Sequence, residues 1–169
     1  KDEGHFSWIS GQKKYTFLAI KAILSWKSQM AWIKVDDQPG RTVDLTGLFA
    51  MMQTETFGGG YRVAPGMQPF GDSASIVLGF GLTKLQMLRV MGPLEKGRHV
   101  GKWGKISMEP CRRFEIKALD SEGNPTEEKG HDPPLFISLD GEISMTTPVS
   151  FEFHEGQLNV RGGQSPPNL

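Results

Sequence analysis

The sequence predicts a mainly β (α+β) protein, an antiparallel sheet with two helices, in one domain. Gly and Pro are frequent, at 21 and 11 of 169 residues, and they fall between short apolar runs as turns do. Several of these runs alternate between apolar and polar side chains, as half-buried strands do. Only two stretches have apolar residues at helical spacing, and the 37% hydrophobic content is enough for a single core.

The first helix is predicted over roughly 11–27. Its apolar side chains recur at helical spacing, and they are Tyr15, Leu18, Ala19, Ala22, Ile23 and Trp26. The second helix begins after Thr83, a suitable N-cap, and runs to Leu94. Its apolar residues occupy more than one face, so we expect it to be buried on several sides. Because proline interrupts a helix, we expect a break near Gly92, with Pro93 opening one further turn.

The remaining apolar runs are predicted strands. Phe114, Ile116 and Ala118 alternate with charged residues, and the run from Val149 to His154 alternates in the same way. The segment 120–133 is polar and rich in turn residues, which indicates a long surface loop. The tail 164–169 is predicted to be disordered, leaving one domain over 1–163. The predicted strands are 31–36, 42–53, 61–64, 74–80, 106–108, 112–119, 135–139, 142–145, 149–154 and 158–161.

Composition excludes several classes of protein. Nineteen basic and nineteen acidic residues give a formal net charge of +0, so nonspecific nucleic-acid binding is not expected. Cys111 is the single cysteine, which rules out an internal disulfide and favours a reducing, intracellular location. No apolar run reaches the ~20 residues of a membrane-spanning helix. The first residues lack an initiator Met, and we expect the chain to be cut from something longer.

Three short segments carry residues that suit chemistry. The turn at 140–142 reads Asp-Gly-Glu between two apolar runs; it is either an ordinary hairpin turn or a rigid projection of two carboxylates toward a cleft. Three glycines at 58–60 are either a flexible bend or a close backbone approach, and they match no phosphate-binding motif. The segment 95–99 is charged and follows the second helix, where Gly97 suits a helix C-cap.

The order of these segments resembles the C-terminal domain of the diacylglycerol kinase and sphingosine kinase superfamily. The resemblance rests on the run from Phe57 to Pro65, on Asp72 before the strand at 75–78, on the helix and charged segment over 85–100, and on Leu139-Asp-Gly-Glu before the closing strands. It spans roughly 11–163. The segment 95–99 looks closer to eukaryotic sphingosine kinases than to bacterial diacylglycerol kinases.

The resemblance implies an antiparallel β-sandwich with two or three helices that enclose a lipid pocket. It implies an N-terminal domain, absent from this chain, that holds the catalytic Asp and most of the contacts to ATP and Mg²⁺, so no catalytic residue is assigned here. Asp140, Gly141, Glu142 and Lys14 are then expected to face the nucleotide and its magnesium. No metal ligand is assigned, because residues 72–75 lack the acidic pattern that bacterial members place around a structural magnesium. The expected lipid-pocket residues are Tyr15, Ala19, Met87, Val90, Met91, Leu94 and His99.

The function implied by the resemblance is the lipid-binding portion of an ATP-dependent lipid kinase that phosphorylates a hydroxyl of sphingosine, diacylglycerol or a related lipid. The expected partners are the lipid, the N-terminal kinase domain and, transiently, a membrane surface, with a cytoplasmic and peripherally membrane-associated location. We expect the second helix and the turn at 140–142 to form opposite walls of one cavity. A noncatalytic lipid carrier or protein-interaction module is an alternative, as is a hydrolase that uses Asp140 and Glu142.

Overall fold

A computed structural model describes residues 12–57, 60–69, 71–128, 135–140 and 142–156. Within these residues, two α-helices and eight strands follow one another. Their bounds are α1 Gln12–Ser25, β1 Met30–Val35, β2 Arg41–Met52, β3 Ala74–Phe80, α2 Lys84–Glu95, β4 Ile106–Cys111, β5 Arg113–Lys117, β6 Phe136–Leu139, β7 Glu142–Thr146 and β8 Val149–Glu152. The predicted strand at 158–161 and the tail at 164–169 lie outside the described residues.

The main sheet has six strands in the order β4-β3-β2-β1-β5-β8, and every pairing in it is antiparallel. The long strand β2 joins two halves of this sheet, one with β3 and β4 and the other with β1, β5 and β8. Its first residues, from Arg41 to Asp44, pair with β1, and its later residues pair with β3. The register shifts between Leu45 and Phe49, and a shift of this kind bends a strand. The sheet therefore curls at β2, which confirms the expected antiparallel β architecture with two helices.

Strand β3 is buried over almost its whole length because both of its faces are covered. Ile76 and Leu78 point into a first core cluster, whereas Val77 points into a second one on the opposite face. The first core cluster comprises Ala31, Ile33, Val35, Val43, Ile76, Leu78, Cys111, Phe114, Ile116, Ala118 and Leu135. The second core cluster comprises Met52, Tyr61, Val63, Ala64, Val77, Leu82, Met87, Val90, Leu94 and Ile106.

Helix α2 covers the second core cluster, and it differs from the prediction in two ways. One face alone is buried, through Met87, Val90 and Leu94, while Leu85 is 55% exposed. The expectation of burial on several sides was therefore wrong. The helix also continues through Pro93 to Glu95. Pro93 has no N–H to donate to the carbonyl four residues before it, so the helix loses one hydrogen bond there but continues for two more residues.

The predicted strand at 61–64 was also wrong. Tyr61 forms an isolated bridge with Phe57, and their N–H and C=O groups exchange hydrogen bonds of 2.9 and 3.1 Å. The residues that follow form turns. The segment is apolar because Tyr61, Val63 and Ala64 enter the second core cluster, not because it extends a sheet. Among the described residues, no helix is long and apolar enough to cross a membrane.

Candidate lipid site between the helices

The turn segment at 61–66 is held by one carboxylate. Arg62 donates to Glu55 Oε1 from Nε at 3.0 Å and from Nη2 at 2.6 Å, and the Gly66 N–H donates to the same oxygen at 3.0 Å. The hydrogen bond from Gly66 lowers the pKa of Glu55, and the Arg62 guanidinium lowers it further. The segment is therefore an ordered element. Glu55 was not predicted as a site residue, because no local spacing rule pairs a carboxylate with a guanidinium seven residues later in a loop.

The end of α2 packs on this turn segment. Gly97 has a φ of 65°, and its N–H donates to the Leu94 carbonyl at 3.2 Å, while the Arg98 N–H donates to the Pro93 carbonyl at 2.8 Å. These two bonds form a Schellman motif, so Gly97 does terminate the helix. A Cβ at Gly97 would lie 3.0 Å from Pro65 Cβ. The glycine thus allows both the left-handed backbone and the close approach of the two segments.

His99 is fully buried at this junction. Its Nε2 lies 3.0 Å from the Val63 carbonyl oxygen, with which it hydrogen-bonds, whereas Nδ1 has no partner among the described residues. Burial lowers the pKa of His99, and the bond to Val63 offsets part of that effect. A neutral ring that donates from Nε2 leaves Nδ1 as a buried acceptor. Such an atom suits a hydroxyl or a water molecule better than a hydrocarbon.

Helix α1 lies against the same region. Thr16 Oγ1 is 2.8 Å from the Tyr61 hydroxyl, and Lys84 Nζ at the start of α2 donates to the Leu24 carbonyl at 2.6 Å. Ile23 of α1 and Met91 of α2 are half-buried and pack on the second core cluster. The two helices are therefore fixed next to each other, with partly exposed apolar side chains on both.

The expected lipid-pocket residues do not all occupy the same environment. Met87, Val90 and Leu94 lie in the second core cluster, where they pack against the sheet. Ala19 on α1 and Met91 on α2 are half-buried, so each keeps part of its apolar surface exposed. His99 bonds to the turn segment, on which the end of α2 also packs. Tyr15 lies in α1, but its side chain is outside the described part of the molecule. The lipid-pocket role of all seven residues stays a prediction.

The acidic turn is a hairpin, as the sequence predicts. Strands β6 and β7 pair antiparallel, with Leu139 opposite Glu142, and Asp140 takes a φ of 50° as a two-residue turn requires. Asp140 and Glu142 are both exposed. Gly141 lies outside the described residues, and of Lys14 only the backbone, within α1, is described.

The hairpin and α2 are not brought together. Leu135 and Ile137, at the base of the hairpin, pack on the first core cluster, whereas α2 packs on the second, on the opposite face of β3. The described residues therefore do not form one cavity with these two elements as facing walls. They also contain no group of three or more His, Cys, Asp or Glu side chains that could hold a metal ion.

Comparison with solved structures shows the same fold in larger proteins. A crystal structure of a candidate diacylglycerol kinase from Bacillus anthracis str. Sterne has a TM-score of 0.60 and 16% identity, and the match covers 85% of this chain and 45% of that one. A second structure with that description, from the same strain, has a TM-score of 0.57 and 15% identity, covering 85% and 43%. The chain thus spans less than half the length of these proteins.

Family comparison agrees with the structural one. No curated protein matches the sequence. Residues 2–162 match the family described as YegS C-terminal NAD kinase beta sandwich-like domain, which covers nearly the whole chain. The protein therefore belongs to the YegS C-terminal domain family, with the β-sandwich fold that its structure displays.

Proposed function

We propose that this chain is the lipid-binding portion of an ATP-dependent lipid kinase that phosphorylates a hydroxyl of sphingosine, diacylglycerol or a related lipid. The observation that carries the proposal is the family membership over residues 2–162. The described contacts support it, because two of the motifs behind the resemblance, the run that ends at Pro65 and the helix with its charged segment, are packed together. The turn segment 61–66, the end of α2 and His99 form one connected unit.

The lipid tail is proposed to lie between α1 and α2. Ala19, Ile23 and Met91 offer half-buried apolar surface on these two helices, and Met is a flexible side chain that adapts to a ligand. Burial of an alkyl tail contributes about 0.8 kcal/mol per methylene, so few polar contacts are needed for affinity. The free Nδ1 of His99 is an acceptor for the one polar group that the lipid must present near this junction.

The nucleotide is proposed to bind mainly to an N-terminal domain, with Mg²⁺ neutralising charge on the transferring phosphate. Mg²⁺ is commonly bound by one or two carboxylates together with substrate phosphates. Asp140 and Glu142, which are exposed on the hairpin, could supply such carboxylate ligands. These two residues would hold the metal from this side, and Lys14 would contact phosphate. The kinase is proposed to be cytoplasmic and to visit a membrane transiently.

The direct test is ATP-dependent phosphorylation of a panel of lipids by the full-length protein and by the 169-residue chain. We expect transfer by the full-length protein and none by the chain, because in-line transfer requires both halves of the site. Transfer by the isolated chain, or a gene that encodes no nucleotide-binding domain before Lys1, would contradict the proposal. The second result would leave a noncatalytic lipid carrier as the function.

A carboxylate substitution tests the hairpin separately. Glu142→Gln in the full-length protein is expected to lower the phosphorylation rate about 10- to 100-fold, without a change in lipid affinity. Glu128→Gln is the control, since Glu128 is also an exposed carboxylate and lies outside the hairpin. An equal rate for the two variants would remove the hairpin from the nucleotide site.

A further inference from the structure

The segment 98–105, between α2 and β4, exposes two large apolar side chains. Val100 is 40% exposed and Trp103 is 45% exposed. The segment, called here the Trp103 loop, starts beside the buried His99 and ends where Ile106 enters the second core cluster. It is therefore anchored at both ends, and its apolar side chains point away from the core.

Hydrogen bonds make the Trp103 loop an ordered platform. The Gly101 N–H donates to the Ile106 carbonyl at 2.8 Å, and the Lys102 N–H donates to the His99 carbonyl at 3.0 Å. A single 3₁₀ turn, Lys102–Gly104, follows, in which Trp103 has a φ of 53° and a ψ of 16°. This left-handed conformation is unfavourable for a bulky residue. The fold thus holds an exposed tryptophan in a conformation that glycine would adopt more easily.

The charged residues next to this tryptophan in the chain, from 96 to 108, all have one sign. Lys96, Arg98 and Lys102 are exposed, and no acidic residue occurs from 96 to 108, in a chain whose formal net charge is +0. Lys105 is half-buried, and its Nζ donates to the Gly81 carbonyl. Phe136 offers a contrast, because it is 62% exposed but lies on the acidic hairpin.

We propose that the Trp103 loop docks the protein on the surface of an anionic lipid bilayer. Tryptophan prefers the boundary between headgroups and acyl chains, where its ring is buried and its N–H stays hydrated. Basic side chains beside it attract anionic headgroups. This inference rests on the proposed function, because a lipid substrate is the reason for the protein to contact a bilayer. It adds which surface of the protein makes that contact. Because the loop adjoins His99, docking would place the bilayer next to the predicted lipid pocket.

The test measures partition of the chain onto vesicles that contain no candidate substrate and no nucleotide. Vesicles of phosphatidylcholine with about one third phosphatidylglycerol are compared with vesicles of phosphatidylcholine alone by co-sedimentation. We expect binding to the anionic vesicles that weakens in high salt. Lys102→Glu is expected to weaken it at least about fivefold. Arg112→Glu is the matched control, since Arg112 is exposed just beyond the other end of β4 and should have a smaller effect.

A glycine substitution separates docking from folding. Trp103→Gly relieves the left-handed strain, so it should keep or raise the thermal midpoint while it weakens vesicle binding about tenfold. Phe136→Ala should leave binding unchanged. The proposal is overturned if the wild type does not bind anionic vesicles, or if Lys102→Glu and Arg112→Glu weaken vesicle binding equally. It is also overturned if Trp103→Gly lowers the thermal midpoint and vesicle binding together. No binding would point instead to a protein surface that covers this loop, and it would leave the phosphorylation test unaffected.

Discussion

The buried histidine at the junction of α2 and the turn segment should make folding stability depend on pH in a defined window. Replacing His99 by Gln removes the titrating ring and keeps an N–H donor for the Val63 carbonyl, which lies 3.0 Å from Nε2 in the wild type. Burial lowers the pKa of His99 below its ordinary value of 6.5. The folded protein therefore resists protonation of this side chain, whereas the unfolded chain accepts it.

The sign and size of the effect follow from linkage. Well above pH 6.5 the side chain is neutral in both states and contributes no pH dependence. As the pH falls below 6.5, the unfolded state binds a proton that the folded state does not, and the free energy of unfolding decreases. One such proton corresponds to a slope of at most about 1.4 kcal/mol per pH unit, until the pH reaches the folded-state pKa.

Urea unfolding at a series of pH values from 7.5 to 5 measures this slope. We expect the wild type to lose stability faster than His99→Gln as the pH falls, even if the variant is about 1–3 kcal/mol less stable at pH 7.5. His154→Gln is the control, since His154 is exposed. Equal slopes for the wild type and His99→Gln would refute the assignment of a neutral buried ring. Glu55 and Asp120, whose pKa values are also lowered, titrate below this window and keep their contributions through it.

Two further predictions concern the framework of the site. Alanine at position 97 must adopt a φ of 65° and also place its Cβ 3.0 Å from Pro65 Cβ. Gly97→Ala should therefore destabilise the fold more than Gly123→Ala, because Gly123 also has a positive φ but lies in open space. We expect a loss of about 1–3 kcal/mol for Gly97→Ala by urea unfolding, and equal losses for the two variants would argue against the close packing. Cys111 is buried, and desolvation is the main cause that raises its pKa to about 12. A thiol reagent at pH 8 should therefore label Cys111 only after unfolding. Rapid labelling of the native chain would show that strand β4 opens.

Sequence patterns predicted those parts of the fold that depend on local rules. Thr83 caps α2 as expected, and its hydroxyl accepts from the Gln86 N–H at 3.2 Å while the Gln86 side chain accepts from the Thr83 N–H. Buried Phe114 and Ile116 alternate with charged neighbours in β5. In both cases the deciding contacts lie within a few residues of each other, so their spacing is visible in the chain.

Patterns that depend on distant contacts were less informative. The segment 61–64 is apolar like a strand, but the contact of Glu55 with Gly66 folds it into turns. Pro93 ends no helix, because the bonds from Gly97 and Arg98 complete the last turn around it. The candidate site was predicted through a resemblance, which named His99 but not its contact with the Val63 carbonyl.

The dependence of affinity on tail length tests the central claim, a lipid tail held between α1 and α2, most directly. Titration of the 169-residue chain with single-chain lipids of increasing length, below their micelle concentrations, should show affinity rising about fourfold per methylene until the site is full. Ala19→Trp would fill the half-buried position on α1 and should abolish this rise, whereas Ala22→Trp, at an exposed position on the same helix, should preserve it. Affinities that do not change with tail length, or that are equal for the two tryptophan variants, would contradict a tail site between the helices.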